Sequence, residues 1–295
     1  MNKKSVEETL INNIKILSDT SVREERFRPA NGGLFPSVDC LKEIVDIVKK
    51  VVFPAFFDGR YKFDGFREHY IGINIERLYT LLRDEIGKAL RSNCDDQTQD
   101  CEALSSKHAL DFINCLPEIK RLLFTDVEAM FNNDPAAVNF AEVILSYPAI
   151  HAMTHYRTAH ALLKLGIPVL PRVITELAHS ATGIDINPGA EIGEYFAIDH
   201  GTGVVIGETA IVGNHVTLYQ GVTLGAKNFS YDSNGHPMNI PRHPIIEDNV
   251  TIYSNSSILG RITVGKGSII GGNIWLTRSV PPGSKVLQQK AVDTK

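Results

Sequence analysis

Asp199 and His200 stand side by side in AIDHGTGVVIG (197–207), and Asp185 precedes them in DINPG (185–189). An imidazole with its ordinary pKa near 6.5 takes the proton of a hydroxyl at neutral pH when a carboxylate holds its other nitrogen. Asp185 lies 15 residues before His200, close to one turn of a coil made of short repeats, so the two can stand on adjacent turns as orienter and base. A histidine met alone is more often an ordinary surface or core residue; this one follows an aspartate and sits among glycines, which favours the catalytic reading. The four cysteines, Cys40, Cys94, Cys101 and Cys115, show no C-x-x-C spacing and read as reduced thiols. None lies in the 180 residues after Cys115 to carry an acyl thioester, and no G-x-S-x-G elbow occurs. Chemistry at His200 therefore reads as direct attack by a substrate hydroxyl, without an acyl-enzyme.

A beat of six residues sets the scaffold that must hold these groups. Ile186, Ile192 and Ile198 are followed, after a step of eight, by Ile206, Val212, Leu218 and Leu224, and after a long gap by Ile246, Ile252, Ile258, Val264, Ile270 and Leu276. Helices repeat near 3.6 and strands near 2. Thirteen aliphatics on a six-residue step instead predict a parallel β-helix, three hexapeptides to a turn. Glycine follows the beat at 193, 207, 213, 225, 265 and 271, where a tight corner excludes bulk. The beat breaks twice: two extra residues enter after Ile198, and residues 226–244 leave as a loop that returns through Arg242, His243 and Pro244. Polar residues gather at the breaks, so the interruptions are the candidate site.

Upstream the pattern is helical. Residues 37–52 put Leu41, Ile44, Val45, Val48 and Val51 on one face, and 75–90 do the same with Leu78, Leu81, Leu82 and Ile86. Residues 93–106 are polar and read as a connector, with further helices predicted at 117–131, 136–146, 148–165 and 168–181. The fold class is α+β: an α-helical domain over 1–183, a β-helix of hexapeptide repeats over 184–283 with an extruded loop at 226–244, and a short tail over 284–295. Other motifs read plainly. His151 and His155 lack the glutamate of H-E-x-x-H and read as a packed helix face. GKGSIIG (265–271) keeps phase with the beat, so its glycines are corners. Asp134-Pro135 reads as an N-cap with proline at the first helical position.

The 30 basic and 34 acidic residues give a formal charge of -4, and no run of Lys or Arg tracks a phosphate backbone, which excludes nucleic acid as a partner. No stretch reaches 18 apolar residues, and MNKKSVEETLINNIKIL at the start lacks the apolar core of a signal peptide. A cytoplasmic protein without a membrane partner is expected.

NDPAA (133–137), SYPAIHAMTHYRTAHAL (146–162), the run from Asp185 to Gly225 and PRHP (241–244) together resemble the serine O-acetyltransferases, over roughly residues 130–283. Before about residue 110 the likeness is only in being helical. The resemblance implies a left-handed β-helix and transfer of acetyl from acetyl-CoA to the hydroxyl of L-serine, the committed step toward cysteine. It implies His200 as the general base, Asp185 as its partner, Asp134 and Asp199 as contacts of the serine ammonium, and Arg242 and His243 as contacts of its carboxylate. For Asp134 this replaces the N-cap reading. Acetyl-CoA, expected in a groove between neighbouring β-helices, is implied to meet Ala226, Ser254 and Gly272; no metal is expected. A homotrimer or a dimer of trimers is implied.

Two departures qualify the likeness. The loop at 227–241 is long for the family. After VPPG (280–283) the chain reads SKVLQQKAVDTK, without the terminal isoleucine through which members join the cysteine synthase complex, so that complex is not expected. Two other functions compete. An O-acetyltransferase for a sugar or another hydroxy amino acid keeps His200 but has no need of the acidic pair with Arg242 and His243. A metal-binding solenoid requires three converging histidines, and His200, His215 and His243 are not spaced for it.

Overall fold

The computed structural model describes residues 3–19, 21–27, 34–57, 66–93 and 101–288. Cys94, most of the polar connector's first half and residues 289–295 of the tail lie outside them. Eight helices come first among the described residues: α1 (Lys3–Ser18), α2 (Val22–Glu25), α3 (Val38–Val52), α4 (Arg67–Asn93), α5 (Cys101–Asn133), α6 (Phe140–Ser146), α7 (Pro148–Lys164) and α8 (Leu170–Thr182). α1 and α2 have no counterpart among the predicted helices. The faces read from the sequence are the buried ones in α3 and α4, where Leu41, Ile44, Val45, Val48, Leu78, Leu82 and Ile86 are fully covered.

α5 differs from expectation. It starts within the supposed connector and runs through Pro117 to Asn133. Proline removes one intrahelical hydrogen bond, yet Ala109, Phe112, Leu116, Ile119 and Leu123 stay in phase on both sides of it and are buried, so packing carries the helix across. Asp134 is not an N-cap. α6 begins six residues later, behind Asn139, whose side chain accepts the Glu142 amide. Pro135 sits in the turn between, and Asp134 Oδ1 accepts the Ala136 amide at 2.8 Å, an Asx turn in place of a cap. α8 ends on Gly183 at φ +72°, the left-handed stop that glycine takes without strain.

From Asp185 onward the chain winds into a three-faced solenoid with every strand parallel to its neighbours. The first face stacks Asp185–Ile186, Val205–Ile206, Thr223–Gly225, Ser257–Leu259 and Trp275–Leu276. Glu191–Ile192, Ile211–Val212, Ile245–Ile246 and Thr263–Val264 make the second. On the third lie Ala197–Asp199, Thr217–Tyr219, Thr251–Ile252, Ile269–Ile270 and Lys285–Val286, so the start of the tail adds one more rung. All thirteen residues of the beat point inward, none more than 8% exposed. A second inward column lies two residues earlier, with Ile184, Ala190, Phe196, Val204, Ala210, Val216, Val222, Val250 and the buried serines Ser256 and Ser268. Ser256 is satisfied there by donating to the Gly271 carbonyl at 2.6 Å.

The helices close the first coil. Arg157 of α7 reaches the Ile192 and Gly193 carbonyls at 2.7 and 2.6 Å, Tyr156 donates to the Ala190 carbonyl at 2.6 Å, and Asp126 of α5 accepts the Phe196 amide at 3.2 Å. This junction brings the end of α5 against the third face, where Asn133 donates to Thr217 at 3.1 Å. Cys40, Cys101 and Cys115 are free thiols. No helix among the described residues is long and apolar enough to cross a membrane.

Candidate active site

The two-residue insertion makes a bulge at the edge between the third and first faces. His200 takes φ +57°, followed by Gly201 at +86° and Gly203 at +78°. A Cβ on Gly201 would lie 2.5 Å from Ile184 Cδ1, so only glycine lets the chain double back beneath the histidine. The ring of His200 is thereby held outside the wall, with its side chain 72% exposed and Nε2 at 3.8 Å from Asp199 Oδ1.

Beside it, α5 and the start of α7 bring a second carboxylate. Asp134 accepts hydrogen bonds from the Tyr147 hydroxyl and the Ala136 amide. The Tyr147 bond, seconded by that amide, holds the Asp134 carboxyl below the usual carboxylate range, and the same bond pushes the Tyr147 phenol up to about 12. Asn133, Asp134, Tyr147, Asp199 and Thr217 line one narrow cleft. Asp134, Asp199 and His200 are thus brought together within one chain.

Asp185 is not brought onto His200. It stands at the same edge one coil away, where the Gly203 amide bonds the Gly183 carbonyl at 2.8 Å. Its carboxylate faces Arg172 at 3.7 Å. Glu176 and His179 lie close enough to Asp185 that one ligand atom from each falls within 4.8 Å of the others. Arg172 also pairs with Glu176, so a cation already neutralises this group.

Arg242 and His243 occupy a different edge, between the first and second faces, where the long loop returns. Arg242 donates to Glu208 Oε2 at 2.7 Å and to Asn239 at 3.1 Å. Thr209 organises the pair: its Oγ1 accepts the amides of Arg242 and His243 at 2.9 and 3.1 Å, and its own amide donates to His243 Nδ1 at 3.1 Å. With Nδ1 an acceptor, the proton of neutral His243 sits on Nε2. Burial, aided by the Arg242 charge, lowers the His243 pKa to about 4, so this imidazole is a neutral donor beside a guanidinium. A Cβ on Gly207 would come within 2.0 Å of the ring. Ala226 opens the loop at this same edge. Ser254 and Gly272 instead belong to the edge of His200, one coil apart, and a Cβ on Gly272 would sit 3.2 Å from the Ser254 carbonyl.

The candidate residues therefore fall on two columns. Asp185, Asp199, His200, Ser254 and Gly272 follow the third-to-first edge, while Ala226, Arg242 and His243 follow the first-to-second edge. His215 lies on the remaining edge, stacked on Tyr195 at 4.4 Å. Within one chain, His200, His215 and His243 therefore stand on three different edges. His151 and His155 are packed in α7 with ring centroids 4.3 Å apart. Tyr147, Glu208 and Thr209 were not legible as site residues in the sequence; the only signals are Tyr147 directly before the proline of α7 and Glu208-Thr209 directly after the corner glycine at 207.

No protein-family model matches the chain. The plasmid serine acetyltransferase of Synechococcus elongatus is 46% identical over 260 residues, covering 86% of this chain and 82% of that protein. The serine acetyltransferase of Bacillus subtilis is 45% identical over 167 residues, 57% of this chain and 73% of its own. Among solved structures, serine acetyltransferase 1 of Entamoeba histolytica in complex with L-cysteine superposes with a TM-score of 0.72 at 34% identity, covering 86% of this chain and 87% of that one. Identity and fold agree over nearly the same share of the molecule, and the chain belongs to the serine acetyltransferase family.

Proposed function

We propose that the protein transfers the acetyl group of acetyl-CoA to the hydroxyl of L-serine in one direct step, releasing O-acetyl-L-serine and CoA for cysteine synthesis. The observation that carries the reading is the bulge that holds His200 outside the solenoid wall beside Asp134 and Asp199. A serine zwitterion has a use for each neighbour: its ammonium meets the carboxylates of Asp134 and Asp199, and its carboxylate meets the Arg242 guanidinium and the His243 Nε2–H. The hydroxyl then faces His200.

His200 removes the hydroxyl proton as the oxygen attacks the thioester carbonyl. The tetrahedral adduct collapses with cleavage of the C–S bond, and the imidazolium gives its proton to the departing thiolate. Asp185, once turned from Arg172 toward the second nitrogen of His200, would stabilise that imidazolium. Ala226, Ser254 and Gly272 are the contacts for CoA, and the chemistry needs no metal.

Two edges of one solenoid face different directions, so the two halves of the serine site require two chains. A homotrimer meets this, because a threefold rotation sets the third-to-first edge of each chain against the first-to-second edge of its neighbour. Acetyl-CoA would then lie along the groove between them. The free thiols of Cys40, Cys101 and Cys115 fit a reducing, cytoplasmic setting. The Entamoeba enzyme binds L-cysteine; cysteine differs from serine by sulfur for oxygen, and inhibition at the same site is part of this reading.

The test is thiol release from acetyl-CoA with L-serine, L-homoserine, L-threonine and a sugar panel offered separately. Release with L-serine is expected. Release with a sugar alone overturns the substrate assignment.

A further inference from the structure

A second cavity lies within the helical region and shares Tyr147 with the cleft of Asp134 and Asp199. It measures about 270 Å³ and opens between α3, α6 and the ends of α7 and α8, lined by Lys49, Ile144, Leu145, Tyr147, Pro148 and His151 among others. At about 30 Å³ for each water-sized group, such a space holds roughly nine of them.

Its electrostatics are unusual. The Lys49 side chain is only 13% exposed, and its one carboxylate partner among the described residues, Asp46, stands 3.4 Å away with 61% of its own side chain in solvent. The ammonium's other contact is His151 Nδ1 at 3.1 Å. Burial, reinforced by Lys49, lowers the His151 pKa to about 4, so this ring is neutral, accepts from Lys49 on Nδ1 and keeps a donor on Nε2. Burial also pulls Lys49 below the usual lysine range. Asp46 pairs with Lys49 and accepts its hydrogen bond at 3.4 Å, but from the solvent side, so an anion entering from the cavity meets a largely buried cation whose inner side has only a neutral imidazole. The first turn of α7 opens on the same space and favours negative charge. One lysine offsets one charge, and a dianion would leave the second uncompensated among apolar walls.

We propose that this cavity is an effector site for a small aliphatic monocarboxylate, held through its carboxylate by Lys49 and His151 and through its hydrocarbon tail by Ile144, Leu145 and Pro148. Tyr147 makes it an effector site: this residue lines the cavity and its hydroxyl donates to Asp134. An occupied cavity fixes Tyr147, and with it Asp134, in the position seen here, so occupancy lowers the KM for serine. Only this coupling rests on Asp134 as the ammonium contact; binding does not.

Calorimetry on the full chain with isovalerate, isovaleramide and inorganic phosphate tests binding without reference to turnover. Isovalerate binds, and the uncharged amide binds at least about tenfold more weakly, as loss of a charge-assisted hydrogen bond requires. Lys49→Met weakens isovalerate to a similar degree, and Leu145→Trp, which fills the cavity from its exposed rim and leaves Lys49 in place, abolishes it. Serine KM falls by about fivefold at saturating isovalerate, the lower end of ordinary allosteric coupling. Absence of isovalerate binding in the native chain, equal binding of the amide, or phosphate binding in its stead overturns the ligand class. Binding without a change in serine KM overturns the effector role.

Discussion

Arg157 and Asp126 form a buried bidentate ion pair, with Nε and Nη2 at 3.2 and 3.0 Å from the two carboxylate oxygens and side chains 4% and 0% exposed. The same guanidinium bonds the Ile192 and Gly193 carbonyls, so one side chain ties α5 and α7 to the first coil. Burial raises the Asp126 pKa, and Arg157 opposes it. Arg157→Met leaves a carboxylate unpaired in the interior and should cost about 3–5 kcal/mol. Replacing both, as Arg157→Met with Asp126→Leu, should recover only the part due to the unpaired carboxylate, because the Ile192 and Gly193 carbonyls and the Phe196 amide still lose these partners. Urea midpoints at constant slope check both values. A loss below about 1 kcal/mol in the single variant would mean the junction is held elsewhere.

His200→Ala removes the proposed general base and leaves the proposed CoA contacts in place. Turnover should fall by about 10²–10⁴-fold with CoA affinity within about twofold of native. Single-turnover rates and CoA titrations separate the two quantities. Turnover within about tenfold of native would remove His200 as the base.

The two-edge geometry gives a sharper result. In the proposed trimer, His200→Ala and Arg242→Ala disable opposite sides of one groove, so each variant alone should show little activity at low serine. In a refolded equimolar mixture, about a quarter of the grooves in a random trimer combine an intact His200 edge with an intact Arg242 edge. About a quarter of native activity at low serine should therefore return. No recovery, with mixed trimers verified by mass, would put both residues in one chain's site.

Much of this architecture was legible because one inward column is chemically uniform. Every position from Ile186 to Leu276 on the beat is Ile, Val or Leu, and steric fit at the solenoid axis leaves little else. The second column escaped notice because it mixes Ala, Val, Phe and Ser, with Ser256 made tolerable only by its bond to Gly271. Asp199 and His200 were found as an interruption of the beat, a signal that needs no partner. Tyr147 and Thr209 act through residues 13 and 34 positions away, and no periodicity encodes such contacts. α5 was cut short for a local reason: a proline and polar neighbours outweighed a buried face that only packing shows.

Tyr147→Phe tests how Asp134 is held. The variant loses one hydrogen bond to a charged group, and the carboxylate is left to the Ala136 amide alone. Serine KM should rise about fivefold or more, with kcat and the KM for acetyl-CoA little changed, because a net hydrogen bond of about 1 kcal/mol acts on one substrate only. An equal fall in kcat and kcat/KM would instead assign Tyr147 to the chemical step.

Four histidines among the described residues set the response of stability to acid, His160 among them, its pKa lowered chiefly by burial. Burial is the main cause that holds His151 at about 4, His155 at about 3 and His243 at about 4, against about 6.5 in an unfolded chain. Between these values the unfolded chain binds more protons than the folded one, so stability falls as pH drops through 6.5 toward 4. Each histidine contributes a slope of up to about 1.4 kcal/mol per pH unit in that window. The carboxylates act later: Glu191, held down by Lys164, and Asp134, held down by Tyr147, lose their bonds only as pH falls below the ordinary carboxylate range. Denaturant midpoints at pH 7, 6, 5 and 4.5 should therefore decline throughout. His155→Asn, whose side-chain amide can replace the Nδ1 donor to the His151 carbonyl without titrating, should remove about a quarter of the slope. A native protein whose midpoint is flat from pH 7 to 4.5 would show that these rings are reached by water and protonate in the folded state.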